Sequence, residues 1–341
     1  MASVVLTPIW PNISPLCDVD RISFTKRKCT CLERSSWGPS PLSRSRNSLQ
    51  PAQCFPSSPH SSVSSTYLRA AGLTSESFTK SSVQPTTGAS KCILVVGGTG
   101  GVGQLVVAAL LDRGFNVRVI LRDPKKASAI FGEASMDKMQ VFVGDIRKVE
   151  ELEPTTWEGV THVICCTGTT AFPSKRWDGD NTPENTDWHG LRNLVNALPK
   201  TVQRFVLVSS IGVTKFDQLP WNIMNLFGVL KFKKMGEDYL RKSGIPFTII
   251  RAGRLTDGPY TSYDLNTLLK ATAGTRRRVV LGQGDKLVGE ASRIVVAEAC
   301  IQSLDIDCTC GQIYEINSVE GDGPGTEQTK WKNLFTQVHT A

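Results

Sequence analysis

The stretch KCILVVGGTGGVGQLVVAALLDRG, residues 91–114, constrains the fold more than any other part of the chain. Residues 93–111 are almost free of polar side chains, so two readings compete. One is a membrane span; the other is a buried strand and a buried helix joined by a glycine turn. A spanning helix needs about 20 apolar residues held in helical conformation. Here five glycines occupy the middle, and β-branched residues precede them, which favours the turn. Gly97, Gly100 and Gly103 fit G-x-x-G-x-x-G, while Gly98, Gly100 and Gly103 fit G-x-G-x-x-G. In that context backbone N–H groups approach a pyrophosphate, and the N-terminus of the following helix adds partial positive charge. The whole run Gly97, Gly98, Thr99, Gly100, Gly101, Val102 and Gly103 is therefore the expected phosphate turn of a dinucleotide site.

The pattern continues in the same style. Apolar runs of strand length lie at 92–96, 116–121, 139–143, 161–166, 204–209, 247–251 and 313–316. Helix-like segments fall at 102–113, 124–131, 186–198 and 226–243. Strands apolar throughout and separated by helices imply a parallel sheet covered on both faces. The expected fold is α/β, a doubly wound Rossmann-type sheet over 91–325. A small C-terminal lid should lie over the carboxyl ends of the strands, with 326–341 as a tail.

Composition divides the chain. Residues 1–85 are rich in serine and poor in acids, and the first 90 residues carry +5 of the total net charge of +8. Such a leader reads as a chloroplast transit peptide, with a disordered regulatory tail as the alternative. The remaining +3 is too small to argue for an RNA partner; Arg276, Arg277 and Arg278 read as a solvated loop. The ten cysteines show no C-x-x-C pair and no histidine at ligand spacing, so no metal site is expected. Cys92, Cys165 and Cys166 fall on strands as small hydrophobes, and the Cys308/Cys310 pair lies in a turn.

At the end of the second strand stands Arg122, where an NAD site usually carries an acid for the ribose 2′-hydroxyl. A guanidinium suits a 2′-phosphate, which favours NADP(H) over NAD(H). Asp123 complicates this, because its carboxylate could serve NAD.

With VVGGTGGVG, LRDPKKA, VFVGDI, NTDWHGLRNLVNA, RFVLVSSIGV, EDYLRKSGIPFTIIRAGRL and ASRIVVAEACIQSL in view, the chain resembles the atypical short-chain dehydrogenase/reductases, in particular the plant NAD(P)H-binding group. The resemblance covers about residues 91–320. It implies that Asp145 and Ile146 meet the adenine, that Thr167 and Gly168 border the cofactor ribose, and that Ser209 and Ser210 lie beside the nicotinamide. The family's Arg-Pro-Gly stands here as Arg251, Ala252 and Gly253. Dehydrogenases of this superfamily use Tyr-x-x-x-Lys, in which the lysine grips the ribose and lowers the phenol pKa. No tyrosine of this chain has a lysine four residues later. The motif register places Lys233 in the lysine position and Val229 in the tyrosine position; a second register pairs Phe227 with Lys231. Lys233 and Ser210 are thus the candidate catalytic residues of an oxidoreductase lacking its usual acid. The alternative is a non-catalytic NADP(H)-binding scaffold or assembly factor, stromal or associated with the thylakoid or envelope. The small-molecule substrate or protein partner is not specified by these residues. His189 and Trp188 read as a helix face, and Met224, Leu226, Phe227 and Leu230 as cover for the lid interface.

Overall fold

Strand β1 (Cys92–Val96) is buried along its whole length, and its side chains divide strictly between two cores. Ile93 and Val95 join one cluster, whereas Cys92, Leu94 and Val96 join the other. That division explains a run with no polar alternation: a strand at the centre of a parallel sheet has no solvent face. The computed structural model describes residues 91–255 and 276–339. The leader and residues 256–275 lie outside the described residues.

After β1 come α1 (Gly103–Asp112), β2 (Asn116–Leu121), α2 (Pro124–Phe131), α3 (Glu133–Met136) and β3 (Met139–Val143). Strand β4 (His162–Cys165) leads to a π-helical turn (Glu184–Gly190) that runs into α4 (Leu191–Ala197). Then follow β5 (Arg204–Ser210), α5 (Trp221–Met224), α6 (Val229–Lys242) and β6 (Phe247–Ala252). The last elements are β7 (Arg254–Leu255), β8 (Arg278–Gly282), β9 (Glu290–Ala291), α7 (Arg293–Gln302), β10 (Gln312–Val319) and α8 (Gln328–His339). The main sheet has the order β3-β2-β1-β4-β5-β6-β10-β8, while β7 and β9 form a separate two-stranded sheet. Pairings from β3 to β10 are parallel, and only β8 runs antiparallel, against β10. Helices α1, α7 and α8 cover one face and α4 and α6 the other.

All seven expected strands form. Helix α6 starts at Val229 rather than 226, because Gly228 adopts the left-handed conformation (φ 80°). Asn225 then turns its Oδ1 to accept the N–H groups of Leu230 and Lys231, both at 3.0 Å. The C-terminal expectations need more correction. The segment expected as a tail, 326–341, is helical over Gln328–His339: Trp331 and Phe335 of α8 are 1% and 0% exposed, packed into the first core. Arg278 and the residues after it are strand, not solvated loop, since Val279 is buried and β8 completes the sheet edge. The lid falls partly on residues 256–275, outside the described residues; the segments after them largely extend the sheet. Among the described residues no helix is long and apolar enough to cross a membrane.

Candidate functional site

The sequence-derived residues converge at the carboxyl ends of five adjacent parallel strands, β3, β2, β1, β4 and β5. Between β1 and β4 the chain order reverses, which is where an open parallel sheet leaves a crevice. The glycine turn fills that point. Gly97 has φ 80°, and a Cβ on it would come within 2.9 Å of the backbone of Cys166 and Thr167. A Cβ on Gly103 would lie 2.1 Å from the carbonyl oxygen of Gly97. Strand, turn and helix can therefore close only with hydrogen at these positions. Within the turn, Gly100 N–H donates to Gly97 O at 2.9 Å, and α1 starts immediately afterwards. Gly98 packs against Val107, while the Arg293 side chain lies across Gly101.

At the end of β2, Arg122 donates to Asn181 Oδ1 at 3.2 Å. Asp123 is the N-cap of α2, accepting from the N–H groups of Lys125 (3.0 Å) and Lys126 (3.3 Å). The carboxylate that complicated the cofactor reading thus has a structural task of its own. Past β3, Asp145 is gripped by Arg147 through Nε (2.9 Å to Oδ2) and an outer nitrogen (2.6 Å). Burial would raise this carboxyl, but the Arg147 hydrogen bonds and charge, with Arg122 behind, hold it below its ordinary range. Ile146 turns its side chain into the core against Gly190.

The other half of the site is built around α6. Lys233 Nζ reaches Asp187 Oδ1 at 2.6 Å, with the two side chains 14% and 2% exposed. Asp187 Oδ2 accepts from Thr169 Oγ1 (2.5 Å) and from Thr169 N–H (3.3 Å). Gly168 lacks the Cβ that would come 2.8 Å from Lys233 Nζ, which leaves the ammonium room over the end of β4. Thr167, Ser209, Asp187 and Lys233 line one small recess. Ser210 directs its hydroxyl to the Ile211 carbonyl at 3.0 Å. Of the two lysine registers, the geometry places Lys233 in the recess, whereas Lys231 is exposed with its ammonium over the Phe232 ring. Val229, one turn before Lys233, is 4% exposed and packs with Val213 and Leu230.

The NAD(P)H-binding family matches residues 97–307 of this sequence. The sanguinarine reductase of Eschscholzia californica is 30% identical over 73% of this chain and 96% of its own length.

The chain belongs to the NAD(P)H-binding family.

Another member-like relative, the chloroplastic protein TIC 62 of Pisum sativum, is 33% identical over 66% of this chain, which spans 42% of that longer protein. Among solved structures, an oxidoreductase from Lactococcus lactis superposes with a TM-score of 0.54 at 18% identity. It covers 73% of this chain and 97% of its own, and shows the shared fold. The residues present fit the family's dinucleotide. The turn is a cradle that side chains would fill, and Ser209 Oγ is buried at the strand ends with no hydrogen-bond partner.

Asp187 and Thr169 escaped the sequence reading, as did Asn181. Asp187 stands in NTDWHG, where Trp188 and His189 draw attention instead. Those two belong to the helix face: Trp188 meets Tyr239 edge-on at 5.6 Å and His189 lies near Glu184. Asp187 lies on the π-helical turn, a feature that gathers at functional sites but shows only in the structure. A second buried pair fixes α6 to the sheet. Arg251 on β6 meets Glu237 of α6 at 3.0 Å and 2.6 Å, both side chains at most 5% exposed. The thiols of Cys165, Cys166 and Cys300 are pushed up by burial and stay neutral. A separate cavity of about 550 Å³ lies by the C-terminal end of α1, beside the Arg113–Glu298 ion pair and Trp331.

Proposed function

We propose that this chain is an NADP(H)-dependent oxidoreductase of the plastid. The observation that carries the proposal is the convergence of the glycine turn, Arg122 and the Asp187–Lys233 pair on one row of strand ends. In this reading the backbone N–H groups of the turn hold the pyrophosphate. Arg122, steadied by Asn181, takes the 2′-phosphate, and the engagement of Asp123 as a helix cap supports NADP(H) over NAD(H). Asp145 and Ile146 border the adenine through the backbone of their turn. Thr167 and Gly168 border the nicotinamide ribose, whose hydroxyls Lys233 meets. Ser209, with its unpartnered Oγ, and Ser210 lie beside the nicotinamide. When bound, the cofactor supplies the hydride; the chain supplies orientation and a water-poor recess. A reductase among the relatives supports the enzyme reading, and the leader composition together with a chloroplastic relative supports the plastid.

A second reading, a non-catalytic NADP(H)-binding scaffold, is favoured by Val229 in the tyrosine position. It is favoured also by the exposed apolar run of Leu219, Ile223, Met224, Leu226 and Phe227. Titration with NADPH and NADH, followed by turnover against carbonyl and quinone acceptors, separates the readings. NADPH binding with acceptor-dependent oxidation supports the enzyme. Binding with no oxidation by any acceptor supports the scaffold. Equal affinity for NADH and NADPH would remove the role given to Arg122.

A further inference from the structure

We propose that the cavity of about 550 Å³ between α1 and α7 is a second binding site, built for an organic amine with an apolar body and one protonated nitrogen. Its volume falls within the range of about 300–1,000 Å³ usual for small-molecule sites. The cavity is separate from the dinucleotide cleft, and the assignment stands apart from the oxidoreductase reading. Ala109 and Asp112 line it from the last turn of α1 and Arg113 from the cap, whereas the glycine turn opens that helix. At about 1.5 Å per residue, these positions stand roughly 9–15 Å down the helix from Gly103. Ile294 and Val295 of α7 and Trp331 of α8 supply apolar wall. The remaining wall, residues 322–326, is pinned at several points. Gly325 O accepts from Trp331 Nε1 at 2.9 Å, Thr326 O from Gln302 Nε2 at 3.1 Å, and Gly321 O from Arg277 N–H at 3.2 Å. A wall held in this way keeps its shape, which limits the ordering cost of binding.

The charges select the ligand. Three carboxylates, Asp112, Glu298 and Asp322, face two guanidiniums, Arg113 and Arg277, so the lining is negative by one. Glu298 is engaged within the protein: its Oε2 accepts from Arg113 at 2.5 Å and its Oε1 from Gln302 at 2.7 Å. Asp112 and Asp322 are exposed at the rim, and among the described residues neither has a hydrogen bond or an ion pair. An anionic ligand would meet these two carboxylates unfavourably. A metal ion does not match either, because among the described residues no three acidic, cysteine or histidine side chains are grouped to hold one. A protonated amine fits both parts of the cavity. Its hydrocarbon leaves water against Ile294, Val295 and Trp331, and its N–H groups donate charge-assisted hydrogen bonds to a rim carboxylate.

The test uses the full chain and dansylcadaverine, an aromatic fluorophore carrying a primary amine, with its N-acetyl derivative as the uncharged control. Fluorescence enhancement and isothermal titration should show one-to-one binding of the amine, at least about fivefold tighter than that of the N-acetyl compound. Raising NaCl from about 0.05 M to about 0.5 M should weaken the amine alone, because the rim charges become screened. The paired variant Asp112→Asn with Asp322→Asn, both at exposed positions, should bring the amine down to the level of the N-acetyl compound. Ala109→Phe, which puts a ring into the cavity, should abolish binding of both probes. NADPH should not displace the amine from the wild type. No saturable binding of the amine by the folded wild type would overturn the proposal. So would equal binding of the two probes, or amine binding that the paired aspartate variant leaves untouched. Displacement by NADPH would put the amine in the dinucleotide cleft and overturn it as well. If Ala109→Phe does not fold, the paired aspartate variant and the salt dependence decide.

Discussion

The turn after β1 and the first turns of α6 face the same row of strand ends, yet they are made of different material. The turn works through what it lacks: Gly97 and Gly103 close it because no Cβ stands between strand, carbonyl and helix. Helix α6 works through one side chain, Lys233, whose partner Asp187 lies 46 residues earlier on a π-helical turn. The first half depends on local backbone geometry and the second on the register of two remote elements. Damage to each half should therefore look different.

The largest expected effect tests how α6 is anchored. Glu237→Ala leaves Arg251 charged and buried without its partner, which should cost about 3–5 kcal/mol in denaturant unfolding. A loss below about 1 kcal/mol would mean that α6 is positioned by apolar packing alone. Next comes the turn. Gly103→Ala should reduce NADPH affinity by about a hundredfold and destabilise by about 1–3 kcal/mol, since the backbone oxygen it meets cannot move aside. Isothermal titration and thermal unfolding read the two effects separately.

The Lys233–Asp187 pair is predicted to show coupling. Lys233→Met alone leaves Asp187 buried and uncompensated, while the double variant with Asp187→Asn should recover part of the stability, with an interaction energy of about 1–3 kcal/mol. Simple additivity would show that the two halves of the site are alike in being locally determined. Arg122→Ala should weaken NADPH about tenfold and leave NADH nearly unchanged, a difference of about 1.4 kcal/mol. The smallest effect concerns acid. Asp285 accepts from Gly212 N–H (2.6 Å) and from Thr214 through N–H (2.8 Å) and hydroxyl (2.6 Å). Burial opposes the charge, but these hydrogen bonds hold the carboxyl below its usual value. A depressed folded pKa contributes stability above the unfolded value of about 4, lost as pH falls through the folded one. The stability curve should therefore drop below about pH 4, and less steeply in Asp285→Asn.

The same contrast explains what was legible in the sequence. The glycine turn, the seven strands and the place of Arg122 at the end of β2 could be read because each is encoded within about ten consecutive residues. Lys233 could be placed only through a motif register, and its exposure relative to Lys231 decided between two registers. Asp187 and Thr169 could not be found, because nothing local distinguishes a buried acid on a helical turn from a solvated one. The tail was misread for a related reason. Trp331 and Phe335 are spaced as one helix face, but two buried aromatics in a polar segment give a weak signal without the core they fill.

The most direct test of the account is an NADPH fluorescence titration of the wild-type chain beside Gly103→Ala, each checked for folding by circular dichroism. The account predicts saturable one-to-one binding by the wild type and binding about a hundredfold weaker in a folded Gly103→Ala. A folded wild type that binds no NADPH, or a Gly103→Ala that binds it equally well, would contradict the assignment of the β1–α1 turn as the dinucleotide site.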